Sequence, residues 1–455
     1  MTNKMNIEWV NHASYIVRYK NIRMIADPWL FGSAFNDGWD LLVDSKFQIE
    51  DFRNITHIWF SHEHPDHFAP QVLSKIDEQT RKEITVLFQE TSDKRVINFC
   101  KKLSFNVVEL PNRTRYVLGD DFSITSGKMV GIDSWLLYET GNFKLLNIND
   151  CVVSNKKLCE SIKKTTGEVV VLMSQFSYAN WKGNPEDKVV REKSAREKLN
   201  RIKIQVETFR PQYTIPFASF VYFSHEENSY MNDSINTIET AHEFINQNTS
   251  SKSVVMYPGD CWTSESEFRS EDALEKYKKA YDNIPVLPYR KLSEAVSEEA
   301  LMTASREYLS DLHKNNSTFA MKIYQYIPFF GAKTITIKLM HANRYYQFNW
   351  SKGLVPVSST TVTEDIEMSS ESLLYVLSYP WGFGTLMVNG RFRSKDINHT
   401  KSSRIFMLGL MNSIDKRLSI KFIFKEGFAK IFGKGLSTEE EWSLHRHWPR
   451  FLKNK

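Results

Sequence analysis

Residues 58–68 read IWFSHEHPDHF, an apolar run that leads directly into four side chains of metal-binding type. These side chains are His62, His64, Asp66 and His67, in the order H-x-H-x-D-H. Alternate positions at the end of a strand point the same way, so His62 and His64 are expected to hold one metal ion. The tight turn between the two pairs lets Asp66 and His67 face a second metal ion. The motif therefore predicts a two-metal site, in preference to an exposed polar loop.

Composition places this motif in a chain of two or three domains. The chain has 455 residues, 41% of them hydrophobic, and a domain usually holds about 100–200 residues. Its four cysteines include no C-x-x-C pair, which excludes a zinc ribbon or a cysteine-held iron–sulfur cluster and suits a reducing compartment. No stretch approaches the roughly 20 apolar residues of a membrane span, and residues 1–8 lack the apolar run of a signal peptide. We therefore expect a soluble, cytoplasmic protein.

The charge of the chain argues against a nucleic acid partner. Its 59 basic and 54 acidic residues leave a net charge of only +5, and the basic residues are spread among acidic ones. We therefore expect a small-molecule substrate, no nucleic acid and no membrane partner. The oligomeric state stays open.

Strand-like and helix-like segments alternate up to about residue 287. The strand-like segments are residues 7–10, 14–19, 22–26 and 55–60, and the helix-like segments are residues 69–79, 93–102 and 187–201. This alternation predicts an α/β domain. A charged segment of loosely helical spacing, residues 291–314, is taken as the start of a second domain. The expected domains are thus residues 1–290 and 291–455.

The motif and its preceding strand resemble the metallo-β-lactamase superfamily, over roughly residues 5–290. The resemblance implies an αββα sandwich of two mixed sheets, with two divalent metal ions at one edge. Zinc or iron is expected, with manganese as a further option. The whole chain is then an α/β protein with a smaller α+β domain at its C-terminal end.

The resemblance also assigns roles to residues outside the motif. Asp27, in the string IADPWL, matches a position that supports the metal loop; the alternative is a turn-forming aspartate. Asp150 follows the apolar run of KLLNINDC and is expected to bridge the two metals, or else to cap a turn. His225 fits the last histidine ligand of the superfamily, or else is a surface histidine beside acidic residues.

One histidine of the superfamily pattern is missing. The superfamily usually supplies a ligand between the motif and Asp150, yet no histidine occurs between His67 and His225. Asp133 is the only carboxylate in residues 128–138, the corresponding segment, and is nominated as the replacement ligand. A carboxylate there would shift the metal preference from zinc toward iron or manganese.

Several strings resemble more narrowly the catalytic domain of the CMP-N-acetylneuraminic acid hydroxylases and their uncharacterised bacterial relatives. They are WVNHASY (residues 9–15), DPWL (27–30), SHEHPDHF (61–68), LNINDC (146–151), FASFVYF (217–223) and YPGDCW (257–262). Those hydroxylases carry a Rieske module with paired C-x-H and C-x-x-H sequences, which this chain lacks. Oxygenation here would therefore need a separate reductase.

Three residues are candidates for contact with a substrate. His12 ends the first strand-like segment and is either a substrate contact or a loop histidine with its own hydrogen bonds. Trp39 and Trp181 are candidates for stacking on a base or sugar ring, with core packing as the alternative.

The C-terminal region faintly resembles the sterol-carrier type of domain. An alternating strand pair is followed by a helix start within Asp365–Leu374 and a glycine-containing strand at Leu386–Phe392. The resemblance implies a groove for apolar chains, and the alternative is a dimerisation or lid module.

Hydrolysis is the first functional hypothesis. A pair of metal ions lowers the pKa of a bridging water to about 7, with Asp66 placed to orient that water toward an ester, lactone, amide or phosphoester. The rival hypothesis is a di-iron oxygenase acting on a nucleotide-sugar or amino-acid-like substrate with a separate electron donor. The third, a non-catalytic metal-stabilised binding protein, is the least favoured because the ligand set leaves open coordination positions.

Overall fold

The computed structural model describes most of the chain. The described residues are 4–129, 131–141, 143–265, 267–326, 333–340, 344–360, 362–414 and 416–423. Residues 424–455 of the expected second domain lie outside them.

The first domain contains two seven-stranded sheets and a two-stranded pair. Its strands are β1 (Asn6–Asn11), β2 (Ser14–Tyr19), β3 (Ile22–Ala26), β4 (Trp39–Leu41), β5 (His57–Phe60), β6 (Thr85–Gln89), β7 (Asn106–Leu110), β8 (Arg115–Gly119), β9 (Phe122–Lys128), β10 (Ser134–Thr140), β11 (Phe143–Asn147), β12 (Val171–Gln175), β13 (Tyr213–Phe217), β14 (Val221–Phe223), β15 (Lys252–Ser253) and β16 (Cys261–Trp262). The first sheet has the order β16-β1-β2-β3-β5-β6-β7, the second β15-β13-β12-β11-β10-β9-β8, and the pair joins β14 to β4. Both sheets mix parallel and antiparallel neighbours.

Helices accompany these strands along the chain. They are α1 (Pro70–Leu73), α2 (Glu78–Glu83), α3 (Arg95–Lys102), α4 (Lys156–Thr166), α5 (Lys188–Phe209), α6 (Ile238–Asn248) and α7 (Glu271–Asn283), with 3-10 helices at Ile49–Asn54, Ser229–Ser234 and Ile284–Val286. The helix expected over residues 69–79 is shorter in the structure. The side chain of Asp77 accepts a hydrogen bond from Thr80 N at 3.0 Å and so caps a separate helix, α2.

Alternation along β2 explains how the two sheets pack. Tyr15 and Val17 belong to the core between the sheets, where the Tyr15 ring meets Tyr138 of the second sheet at 6.2 Å. Ile16 points the other way, into a core that includes Val72 of α1. The first sheet therefore buries one face against the second sheet and one against helices, and α5 and α6 pack on β12 and β13 of the second sheet. The expected αββα sandwich is confirmed.

The second domain is a five-stranded sheet with helices. Its elements are α8 (Glu298–Asn315), α9 (Thr318–Tyr326), β17 (Ile335–Leu339), β18 (Arg344–Asn349), β19 (Gly353–Val357), β20 (Ile366–Met368), α10 (Ser370–Ser378), α11 (Gly382–Asn389), β21 (Phe392–Ser394) and α12 (Thr400–Ser413). The sheet order is β19-β18-β17-β20-β21. The smaller α+β domain is thus confirmed, while its exact boundary and its sterol-carrier likeness stay predictions. Within the described residues, no helix is long and apolar enough to cross a bilayer.

One strand prediction in this domain was wrong. Leu386–Phe392 was expected to be a single strand, but α11 continues to Asn389. Gly390, with a φ of 70°, ends that helix in the left-handed conformation. The strand β21 begins only at Phe392, because Phe383 and Leu386, three positions apart, bury one face of a helix.

Candidate metal centre

The topology brings four chain segments together at one edge of the sandwich. β1 and β3 both run antiparallel to β2, and β5 runs parallel to β3, so the carboxyl ends of these three strands share one edge. His12, Asp27 and the H-x-H-x-D-H motif follow those ends. From the second sheet, the loop after β11 reaches the same place, since Asn149 Nδ2 donates to Asp27 Oδ2 at 2.9 Å.

Six side chains at this edge form two groups suited to metal ions. The groups are His12, Asp66 and His67, and His62, His64 and Asp150; within each, one ligand atom per residue lies within 4.8 Å of the others. In the first group, Asp66 Oδ2 lies 3.4 Å from His12 Nε2 and 3.3 Å from His67 Nε2. Each group therefore offers two imidazoles and one carboxylate.

The two groups meet at Asp150. In the second group, His62 Nε2 lies 2.8 Å from His64 Nδ1 and 3.8 Å from Asp150 Oδ2. The same Asp150 oxygen lies 3.7 Å from His67 Nε2 of the first group. One carboxylate oxygen thus faces both groups, which is the position that a bridging ligand requires.

Asp27 supports the metal-binding residues through hydrogen bonds. Its Oδ1 accepts from Ser61 N at 2.8 Å, and its Oδ2 accepts from Ser61 Oγ at 2.7 Å and lies 2.9 Å from His67 Nδ1. This contact occupies Nδ1 of His67 and leaves Nε2 as the ligand atom. Asp27, His12 and Asn149 all have positive φ values, of 42°, 35° and 57°. Such backbone strain persists only where the surrounding contacts hold it.

The buried charges of the first group stabilise one another. Burial alone would lower the pKa of His67, but Asp66, Asp150 and Asp27 together raise that pKa well above its usual value. Burial alone would raise the pKa of Asp66, but His67 and His12 hold it well below its usual value. Without metal, Asp66 and His67 therefore form a buried ion pair.

The second group has a neutral imidazole at physiological pH. Burial, and next the neighbouring His62, lower the pKa of His64 to about 4. Burial alone would raise the pKa of Asp150, but His62 and His67 hold it below its usual value. An unprotonated imidazole beside an ionised carboxylate is the state in which both groups bind a metal.

The buried polar atoms of the site fit two cations. Several of them have no hydrogen-bond partner within the described part of the chain, namely both ring nitrogens of His12, Asp66 Oδ1, His67 Nε2 and Asp150 Oδ1. An unsatisfied buried polar group costs about 1–3 kcal/mol, more when it is charged. Imidazole nitrogens and carboxylate oxygens bind zinc and non-haem iron alike. The donor set therefore suits two divalent metal ions.

Comparison with known proteins agrees with this architecture. Residues 6–158 match the family model described as a beta-lactamase superfamily domain. This match and the αββα sandwich are consistent with a metallo-β-lactamase fold in the first domain. The chain is also similar to the cytidine monophosphate-N-acetylneuraminic acid hydroxylase of Macaca mulatta, with 24% identity over 343 residues covering 68% of this chain and 56% of the relative. The chain thus spans little more than half the length of that relative.

Two solved structures are similar at lower identity. CmlA, a diiron beta-hydroxylase from Streptomyces venezuelae, is 14% identical with a TM-score of 0.38, covering 58% of this chain and 55% of CmlA. A possible metal-dependent hydrolase from Veillonella parvula is 15% identical with a TM-score of 0.44, covering 58% of this chain and all of the hydrolase.

Two of the ligands that the resemblance implies, Asp133 and His225, lie outside both groups. Asp133 is buried just before β10, and its charge acts on the pKa of His64, so it lies near the second group without joining it. His225 Nδ1 lies 3.4 Å from Glu227 Oε2. Burial, and next Arg391, lower the pKa of His225 to about 4. Both ligand assignments stay predictions.

Two of the expected substrate contacts, Trp39 and Trp181, are buried. Trp39 and Trp181 are only 2% and 3% exposed. Trp39 packs on Phe35, and Trp181 packs on Phe392 of the second domain, each with ring centroids 4.7 Å apart. Both tryptophans are packed against aromatic rings, and their contact with a substrate stays a prediction.

His12 lies where the sequence did not place it. We expected a substrate contact or a loop histidine, but its ring lies within the first metal group, buried and 5.9 Å from the ring of His67. The available signal was its position directly after β1, at the edge where the motif also ends. His12 is therefore a candidate metal ligand that the sequence alone did not suggest.

Proposed function

We propose that this protein is a non-haem di-iron oxygenase that hydroxylates a small organic substrate with electrons from a separate donor. The observation that carries the proposal is the composition of the two groups, each with two histidines and one aspartate. Two histidines and one carboxylate, with further positions open, are the donor set typical of non-haem iron(II) oxygenases.

The hydroxylase relatives support the same reaction. Sixty-eight per cent of 455 residues is about 309 residues, so the match to the Macaca mulatta relative extends beyond residue 290. The similarity therefore includes part of the second domain, in addition to the metal-binding fold that hydrolases share. A nucleotide-sugar, as in the name of that relative, is the first substrate class to test, followed by amino-acid-like compounds.

Bound iron would supply the activation of dioxygen. The overall conversion places one oxygen atom on a substrate carbon and reduces the other to water, with two electrons and two protons from the donor. The chain's own residues hold and orient the site. Asp150 Oδ2 faces both groups, and Asp27 fixes the ring of His67. Phe35 covers one side of His64, with ring centroids 5.6 Å apart, and so limits the access of water there.

Hydrolysis is the second candidate, and one observation favours it. Asp66 is buried and ionised, and its Oδ1 has no hydrogen-bond partner among the described residues. A carboxylate in that state can orient a water molecule for attack on an ester or lactone. Hydrolysis would also need no electron donor.

Metal identity and oxygen reactivity separate the two candidates. The full chain would be expressed in medium that contains iron and zinc, purified without oxygen, and analysed for both metals. We expect iron near two equivalents per chain and a change in the optical spectrum when the reduced protein meets oxygen. Zinc alone, with no oxygen response and with turnover of ester substrates, would favour hydrolysis.

Matched aspartate variants test whether the reactivity belongs to this site. Asp150→Asn removes the charge shared by the two groups, whereas Asp77→Asn alters an exposed cap of α2, where asparagine caps equally well. We expect Asp150→Asn to lose metal and oxygen response, and Asp77→Asn to retain both. Equal loss in the two variants would assign the effect to general instability.

A further inference from the structure

The second domain contacts a loop of the first domain, residues 35–38, and that loop contacts the metal centre through Phe35. We propose that Asn389 and Arg391 of that domain are positioning residues for the metal ligand His64. The proposal rests on the proposed metal centre and assigns the second domain a specific task within it.

The loop has a backbone that needs external support. Phe35, Asn36 and Asp37 are consecutive residues in the left-handed region, with φ values of 55°, 53° and 57°. That conformation costs an L-residue about 1–2 kcal/mol, and Asn and Asp adopt it more readily than Phe does. The strained turn therefore depends on contacts from its surroundings.

The second domain supplies those contacts to successive carbonyl groups. Asn389 Nδ2 donates to Phe35 O at 3.0 Å, and Arg391 Nη1 donates to Asn36 O at 2.8 Å. Asn228 Nδ2 completes the set by donating to Gly38 O at 2.9 Å and to Asn389 O at 2.7 Å. The shape of the loop is thus determined across the domain interface.

Arg391 is itself firmly anchored. Its side chain is fully buried, and it donates to Glu227 Oε2 at 2.7 Å and to Glu371 Oε2 at 3.0 Å. One of these carboxylates belongs to the first domain and the other to α10 of the second. A planar guanidinium bound to two carboxylates has little freedom to turn, so its hydrogen bond to Asn36 O holds Asn36 in place.

Phe35 carries the effect to the metal centre. Its ring meets the ring of His64 edge-on, with centroids 5.6 Å apart and an interplanar angle of 70°. The Phe35 ring also packs on the ring of Trp39, with centroids 4.7 Å apart. His64 also faces His62 through Nδ1, so Phe35 limits the directions in which the His64 ring can move.

The effect should be confined to one of the two metal positions. His67 of the first group is held by Asp27, within the first domain. His64 belongs to the second group, with His62 and Asp150. Loss of the contacts from Asn389 should therefore weaken the second metal position and spare the first.

The experiment titrates the full-length, metal-depleted protein with cobalt(II), whose visible absorption reports the geometry of its ligands. Asn389→Ala is compared with Asn184→Ala, which also removes an asparagine that joins the domains. Asn184 Nδ2 donates to Ser394 O at 2.9 Å, and Asn184 Oδ1 accepts from Ser394 N at 3.0 Å, away from the loop. Circular dichroism and thermal unfolding check that both variants are folded.

We expect Asn389→Ala to weaken one of the two cobalt equivalents by about tenfold or more and to change its absorption, as is usual when the support of a ligand is lost. The other equivalent, and both equivalents in Asn184→Ala, should match wild type. If Asn389→Ala does not fold, Phe35→Leu removes the ring contact alone and should weaken the same equivalent.

Three results would overturn the proposal. One is unchanged cobalt binding in a folded Asn389→Ala or Phe35→Leu protein. Another is an equal loss in Asn389→Ala and Asn184→Ala, because the contacts would then only hold the domains together. The third is a wild-type protein that binds no cobalt, which would remove the proposed metal centre itself and is distinct from a loss confined to variants.

Discussion

His67 is held from both sides of its ring, since Asp27 binds Nδ1 while Nε2 faces Asp66 and Asp150. Asp27→Asn keeps the shape of the supporting residue but removes its charge. We expect metal affinity at the first group to fall about 10- to 100-fold, measured by calorimetric titration of the metal-depleted protein. An affinity within twofold of wild type would show that Asp27 has no such role.

His12 and His225 both occupy positions that differ from those expected from the sequence. His12 lies in the first group, whereas His225 lies beside Glu227, outside both groups. We expect His12→Ala to bind one metal equivalent fewer than wild type, because one of three ligands is lost. His225→Ala should bind as many equivalents as wild type. The reverse result, by metal analysis of the two purified variants, would restore His225 as the ligand.

The sequence revealed the compact motif but did not place His12 beside it. His62, His64, Asp66 and His67 lie within six positions, so their spacing alone indicates a common site. His12 lies fifty positions before His62, and its proximity depends on how β1, β2 and β3 pair. Without that pairing, a histidine after a strand is equally consistent with an ordinary loop residue.

The loop of residues 35–38 fits against α11 only because Gly38 has no side chain. A Cβ at this position would lie 2.4 Å from the Cβ of Asn389. We expect Gly38→Ala to lower the free energy of unfolding by about 1–3 kcal/mol through overpacking. Gly119→Ala is the control, since the nearest atom to its Cβ, from Ile22, is at 3.4 Å. Urea denaturation of both variants would measure the difference, and equal stabilities would argue against close packing at Gly38.

Elements with clear periodicity were predictable, while elements set by tertiary contacts were not. The strands at Ser14–Tyr19 and Ile22–Ala26 match the expected segments. In α11, Met387 and Val388 read locally as part of a strand. Burial of Phe383 and Leu386 on one helix face overrides that local preference.

The molecule as a whole contains a buried ion cluster between its domains. Arg391 and Glu227 are 0% and 2% exposed. Arg391→Met leaves Glu227 buried without its cation, so we expect a loss of about 3–5 kcal/mol in unfolding free energy. Arg306→Met, on the exposed face of α8, should change stability little. Guanidinium denaturation of both variants checks the difference, and a loss below 1 kcal/mol for Arg391→Met would show that the cluster does not couple the domains.

The sandwich was predictable because a chain of alternating strands and helices that carries a metal-binding motif can adopt few architectures. The contact between the domains was not predictable from the sequence. Asn389 and Phe35 lie more than 350 positions apart, and neither residue type signals a partner. Every residue has a backbone carbonyl group. A side chain that donates to one therefore leaves no signal in the sequence at the accepting residue.

We propose that six residues hold two metal ions that share Asp150. Crystals of the wild-type protein grown with its metal would provide anomalous-scattering maps at the absorption edge of that metal. Two peaks are predicted, one among His12, Asp66 and His67, and one among His62, His64 and Asp150. A single peak, or a metal held by Asp133 or His225 in place of these residues, would contradict this ligand assignment.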